Sequence, residues 1–246
     1  MGKLVEKAKN EIRYKKYLNL IYKAMTLVGN KYGAIITQYS DDLSKIEICE
    51  RNYVIFLAFV LGEMQTGKKR KVISDNLFIN GEICKQLDIM SDTKIRNAYS
   101  EFIKLKSEKE KNSPQTNSVN DDKKGTERAS EKYKNVRPDF VVHESHEKDY
   151  EIDGQKIIIE AKTTNHLIEM DFWWDLLKLN VYIDELKFEN AIYIIVNANK
   201  NDVDNYVKSY YDKIKYKSGK INKLWFFMQN WYNDKMGKIH IYQLEG

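Results

Sequence analysis

The chain has 246 residues, 42% of them apolar and 31% charged, a balance that supports a packed core and excludes general disorder. Its formal net charge of +5 permits a polyanionic partner without requiring one, and no apolar run approaches the roughly 18 residues of a membrane span. The opening MGKLVEKAKNEIRYKK lacks the apolar stretch of a signal peptide, and Cys49 and Cys84 are too few for a disulfide scaffold, so a cytoplasmic setting is expected.

The first half reads mainly as helix. Over residues 3–29, Ile12, Leu18, Ile21, Met25 and Val28 recur among many lysines, which predicts helix for this stretch. Residues 44–64 make the clearer pattern: Ser44 can cap, and Cys49, Tyr53, Phe56, Val60 and Met64 recur at helical spacing, with Leu57 and Leu61 widening the stripe. The basic turn at 67–71 breaks it, and a short helix is expected over 93–106, capped by Ser91 or Asp92. Residues 107–135 hold almost nothing apolar and read as a mobile loop or linker.

Beyond that loop the pattern turns to alternating strands and helices. Strands are expected over 136–143 and 156–162, with a turn-rich connection between them. Residues 167–186 read as helix, 191–196 (AIYIIV) as a buried strand, and 202–217 as helix with Val203, Tyr206, Val207, Tyr210 and Ile214 on one side. Two closing strands are expected over 224–228 and 238–242. The order implies a mixed α/β sheet flanked by helices. No phosphate-binding P-loop, dinucleotide fingerprint or serine-nucleophile elbow is present.

One constellation carries chemistry. Arg137-Pro138-Asp139 opens an apolar run, and Ile157-Ile158-Ile159-Glu160-Ala161-Lys162 follows, with the two acids 21 residues apart. In a strand, residues i and i+2 share a face, so Glu160 and Lys162 point the same way, roughly 7 Å apart, while Ala161 turns to the other face. If the two strands pair antiparallel, Asp139 and Glu160 meet at one end of the sheet, and Pro138 suits a strand start because it removes one ladder donor. An acid two residues before a lysine is common background here, occurring at five places, but only the Glu160 copy closes an apolar strand and Pro138-Asp139 is the only Pro-Asp.

This set resembles the active site of the PD-(D/E)xK nuclease superfamily. The resemblance covers residues 44–64 and 136–229 and implies a restriction-endonuclease-like fold, whose core is an αβββαβ arrangement. By that resemblance the chain divides into a helical N-terminal extension over 1–43 and a nuclease domain over 44–246. It further implies a Mg²⁺-dependent endonuclease acting on DNA, with Mn²⁺ able to substitute and with 5′-phosphate and 3′-hydroxyl products. Asp139, Glu160 and the Ala161 backbone carbonyl would bind the metal, and Lys162 would assist the attacking water. Magnesium favours carboxylate oxygen and keeps several waters, which suits two carboxylates from neighbouring strands. Restriction or phage defence is a compatible setting, and a homodimer is compatible too.

The segment Ile48-Cys49-Glu50-Arg51-Asn52-Tyr53 also resembles the leading-helix segment of some members. Glu50 stands in register with Ile46, Val54, Leu57 and Leu61, where an acid is costly unless it meets a cation or a donor. It is either an additional metal or water ligand or a stripe-edge residue paired with Lys or Arg. Asp175-Leu176-Leu177-Lys178-Leu179 resembles another recurring segment, in which Lys178 approaches the scissile phosphate or lies on the polar face of a helix. Trp173 and Trp174 can stack on a base or pack in the core, and His143 shares the face of Asp139. Lys208, Lys213, Lys215, Lys217, Lys220 and Lys223, interleaved with Tyr206, Tyr210, Tyr211 and Tyr216, form either a phosphate-contacting surface or a solvated helix face. His146, His166 and His240 have no ligand spacing, so zinc is not expected. Two other readings stay open: a catalytically inactive nucleic-acid- or protein-binding module of the same fold, and an RNA-directed nuclease.

Overall fold

The computed structural model describes residues 2–13, 15–39, 46–66, 77–81, 87–88, 93–111, 135–136, 138–144, 154–164, 166–214, 216, 218–231 and 237–246. Helices flank a seven-stranded mixed sheet. In chain order the N-terminal half gives β1 (Lys3–Lys7), α1 (Lys9–Arg13), α2 (Lys16–Ile36), β2 (Thr37–Tyr39), β3 (Ile46–Ile48), α3 (Glu50–Thr66), β4 (Leu77–Gly81), β5 (Leu87–Asp88) and α4 (Thr93–Lys111). The C-terminal half gives β6 (Asn135–Val136), β7 (Phe140–Glu144), β8 (Gln155–Thr163), α5 (Glu169–Glu185), β9 (Asn190–Val196), α6 (Lys200–Lys213), a short 3₁₀ turn (Ile221–Lys223), β10 (Leu224–Gln229) and β11 (Ile239–Glu245). The sheet runs β1-β11-β10-β9-β8-β7-β4, with β8, β9 and β10 parallel and the remaining pairs antiparallel.

The parallel centre explains the near-continuous apolar runs of β8 and β9, since strands covered on both faces bury both sets of alternating side chains. On β8, Ile158 faces the layer of α4, α5 and α6, whereas Ile157, Ile159 and Ala161 face α2 and α3. All four are fully buried. The connection from β8 through α5 to β9 is the crossover that two parallel neighbours require.

Several expectations are corrected. Residues 3–7 form a strand: β1 pairs with β11, Lys3 opposite Glu245 and Lys7 opposite Ile241. The expected helical extension over 1–43 is thus helical through α1 and α2 but joins the sheet edge through β1. Residues 46–48 are also a strand, and α3 starts at Glu50; Ser44 lies outside the described residues. The expected strand over 136–143 is two pieces, β6 and β7, separated around Pro138-Asp139. Helix α4 runs on to Lys111, five residues past the expected end at 106; of the rest of the expected loop only Asn135 is described, as the start of β6, and the basic turn at 67–71 lies outside the described residues. Helix α6 ends at Lys213, where Ile214 turns to extended backbone and gives its N–H to Tyr210.

Helix α6 begins with a side-chain cap: the Asn199 side-chain oxygen accepts the Asn201 N–H at 2.8 Å. Asn199→Ala is expected to lower unfolding stability by about 1 kcal/mol, measured by urea denaturation, because the N-terminal amides lose an acceptor. A change indistinguishable from zero would show that solvent caps this helix equally well.

Candidate active site

The register of β7 and β8 builds the site. Phe140 stands opposite Ile159 and Val141 opposite Ile158. Continued by one step, that register sets Asp139 across from Glu160, and by two, Pro138 across from Ala161. Pro138 has no N–H to continue the ladder, so β7 stops and β8 runs on alone along this edge. The Asp139 carboxylate takes over there: its Oδ2 accepts the Ala161 N–H at 2.8 Å. The site therefore forms where one strand outlasts its neighbour.

Glu160 and Lys162 alternate with Ile159 and Ala161, so both point to the α5 side of the sheet. Tyr193 stands beside Glu160 across the parallel β8–β9 pair and points the same way. From above, α5 brings Asp175 and Lys178, one turn apart on a helix whose neighbouring residues are almost all buried. The Lys178 Nζ lies 2.7 Å from Glu160 Oε2 and 2.8 Å from Asp175 Oδ1. Tyr193 donates its hydroxyl to Asp175 Oδ2 at 2.9 Å. From the opposite layer, the first residue of α3 reaches the same edge: Glu50 Oε1 accepts from Lys162 Nζ at 3.2 Å. Lys162 also lies 3.5 Å from Asp175 Oδ2.

Exposure grades along this chain of charges. The Glu160 side chain is 2% exposed, Lys162 25% and Glu50 39%, so the cluster runs from the core to an open mouth. Glu160 Oε1 is buried and has no hydrogen-bond partner among the described residues, and the Tyr182 hydroxyl is in the same condition. Burial pushes the Tyr182 phenol well above its ordinary pKa, and the nearby Glu160 carboxylate adds to the shift.

The electrostatics follow from crowding four carboxylates and two ammonium groups into a poorly solvated edge. Burial pushes the Glu160 carboxyl well above its ordinary value; Lys178 opposes the shift, and Asp139 and Asp175 reinforce it. Burial likewise raises Asp139 against the Ala161 amide and Lys178, and raises Glu50 against Lys162. Asp175 goes the other way: burial works against it, but Lys178, Lys162 and the Tyr193 hydroxyl hold its carboxyl below the ordinary value. Burial disfavours charge on both lysines, yet Asp175 with Glu50 raises Lys162, and Asp175 with Glu160 raises Lys178.

These shifts set a pH dependence. A carboxyl whose folded pKa is raised binds its proton more tightly in the folded state, so its contribution falls as pH rises from the ordinary carboxylate range through the folded value. Glu160, Asp139 and Glu50 act in that sense; Asp175, being lowered, contributes above the ordinary range and loses its contribution as pH falls through its folded value. In EDTA, the melting temperature of Glu160→Gln is therefore expected to fall less than that of the unaltered protein between about pH 5 and pH 8. Parallel melting curves across that window would show that Glu160 is not held in its raised state.

Of the residues singled out in the sequence, Asp139, Glu160, Lys162, Glu50 and Lys178 come together. Between the two readings of Glu50, the structure shows a pairing with Lys162 at the edge of the buried stripe, with a carboxylate that remains at the mouth. Lys178 is no solvated helix-face lysine; it is enclosed between two acids. Ala161 brings its N–H to Asp139. Trp173 is fully buried with Lys109 and Lys213 against its ring, so it packs in the core, and Tyr210 and Tyr211 of the lysine–tyrosine series are buried as well. Lys208 and Lys213 are exposed, while Lys215, Lys217, Arg137 and His146 lie outside the described residues. His143 is half-buried on β7.

Asp175 and Tyr193 are members of the cluster that sequence reasoning did not place there. The available signal was a charged pair one turn apart inside the largely apolar stretch FWWDLLKLNVYI. Tyr193 left none, because a tyrosine in AIYIIV looks like any aromatic in a buried strand. Among the described residues, no group of three or more His, Cys, Asp or Glu is arranged to hold a metal ion, and no helix is long and apolar enough to cross a membrane. No family model, curated protein or solved structure matches this chain.

Proposed function

We propose that the chain is a Mg²⁺-dependent nuclease of the PD-(D/E)xK type that hydrolyses phosphodiesters in DNA. The observation that carries this reading is the convergence of Asp139, Glu160 and Lys162 at the open edge of β8, joined by Glu50 and Lys178. With β5, α4 and β6 inserted between β4 and β7, the elements α3, β4, β7, β8, α5 and β9 support it too, as a helix, three antiparallel-paired strands, a helix and a parallel strand.

The residues fit a divalent cation in type and charge. With all six groups ionised, four carboxylates face two ammonium groups, which leaves two negative charges in a site of low polarisability. Glu160 Oε1 is a buried carboxylate oxygen with no donor among the described residues, a group that a hard cation satisfies. Asp139 and Glu160 would hold the ion, with the Ala161 carbonyl and Glu50 as further oxygen ligands. Lys162 and Lys178 interleave three of the acids, Glu50, Glu160 and Asp175, while Asp139 accepts the Ala161 amide.

When bound, the ion would supply an acidified water and charge stabilisation for the phosphoryl oxygens. The protein residues supply the rest. Lys162, at the mouth and between Glu50 and Asp175, orients the attacking water and bears on the developing negative charge. Asp139 is fixed by the Ala161 amide, so its carboxylate needs no reorganisation as charge develops.

A second reading is favoured by the same ion pairs. A module that only binds nucleic acid or protein needs no metal, and Glu50, Glu160 and Asp175 each already meet a lysine. The test incubates the protein with plasmid, single-stranded DNA and RNA in Mg²⁺, Mn²⁺ or EDTA. Cleavage of DNA in either metal and none in EDTA is the expected result. Binding without cleavage on every substrate favours the module, and cleavage of RNA alone favours an RNA-directed enzyme.

A further inference from the structure

Asp175 has a place in the cluster that the proposed chemistry does not use. It is buried, and its carboxylate meets both lysines. Its oxygens are divided. Oδ1 takes Lys178, and Oδ2 takes the Tyr193 hydroxyl and faces Lys162. A carboxylate with three partners in this geometry cannot rotate without breaking at least one of them.

From this we infer that Asp175, locked by Tyr193, is a positioning residue that partitions the two lysines along the open edge of β8. Lys178 is retained inside, against Glu160. Lys162 is held outward at the mouth, beside Glu50. The backbone alone does not impose this division, because both side chains are long and flexible and start from elements that converge on the same acids. Without Asp175, each lysine keeps one partner, Glu160 for Lys178 and Glu50 for Lys162, and Lys162 is then held only by a carboxylate that is itself partly exposed.

Tyr193 is the second half of the device. It is buried, stands beside Glu160 in the sheet, and its hydroxyl reaches past Glu160 to the helix above. That contact fixes the side-chain rotation of Asp175 without adding charge. A phenylalanine would pack equally well in the strand, so the hydroxyl is explained by Asp175.

The inference rests on the nuclease reading only for its consequence in catalysis; the placement of the lysines can be measured without it. The test is site-resolved amine labelling, read by mass spectrometry, on the unaltered protein, Asp175→Asn and Tyr193→Phe. Circular dichroism confirms that each variant is folded. Labelling of Lys162 is expected to rise about tenfold in Asp175→Asn, the factor expected on losing one charge-assisted contact. Tyr193→Phe, which leaves every charge in place, is expected to raise it in the same direction by a smaller factor. Exposed Lys208 serves as the internal reference. If Asp175→Asn fails to fold, Tyr193→Phe carries the test alone. Unchanged Lys162 labelling in a folded variant overturns the inference. With a cleavable substrate in hand, both variants are expected to lose kcat with KM unchanged; a loss confined to KM also overturns it. Absence of any cleavage by the unaltered protein counts against the nuclease reading and leaves the labelling result to decide the positioning role.

Discussion

Lys178→Met is expected to lower the unfolding free energy by about 3–5 kcal/mol, the loss seen when one partner of a buried ion pair is removed. The methionine fills nearly the same volume, so the effect is electrostatic. Glu160 and Asp175 would remain buried with one cation fewer, and Glu160 would have lost its 2.7 Å partner altogether. Asp175 is cushioned by Tyr193 and Lys162; Glu160 has no such reserve, since its other oxygen lacks a donor among the described residues. Lys178→Met combined with Glu160→Gln should therefore recover a large part of the loss. Urea denaturation in EDTA gives both numbers. A single-variant loss below about 1 kcal/mol would mean that Lys178 is effectively solvated.

On the proposed nuclease reading, Glu160→Gln and Lys162→Ala are each expected to reduce the rate of DNA cleavage in Mg²⁺ by about a hundredfold or more, with substrate binding retained. The reasons differ. Glu160→Gln removes a buried anionic oxygen that would hold the cation, so raised Mg²⁺ should restore part of the rate. Lys162→Ala removes the cation at the mouth, so raised Mg²⁺ should not restore it. Cleavage that survives both substitutions would remove these residues from the chemistry. Because Lys162 also neutralises Glu50 and Asp175, its variant is also expected to be less stable, which a melting curve separates from the loss of rate.

Much of the central sheet was legible. The runs at 157–159, 191–196 and 224–228 are strongly apolar because those strands are covered on both faces, and they appear as β8, β9 and β10. The break in the first strand was less legible. Val136 and the run after Phe140 look continuous by composition, yet Pro138 interrupts the ladder and divides them. Glu50 was legible as an acid needing a partner, but the identity of that partner, Lys162, lies 112 residues away and no local pattern names it.

The sequence by itself determined which residues share a face. The period of two places Glu160 with Lys162, and the single Pro-Asp marks where the neighbouring strand begins. Only the tertiary structure decided what those residues meet. Asp175 and Lys178 have the spacing of an ordinary exposed helical pair, and they become a buried ion-pair centre because α5 lies directly over the edge where β8 outlasts β7. Likewise Lys3–Lys7 carries the charge of a surface segment and becomes a sheet edge because β11, at the far end of the chain, offers it an unpaired row of backbone groups. Periodicity is local and survives in any window of sequence; pairing across more than a hundred residues is decided by which buried groups must be satisfied together.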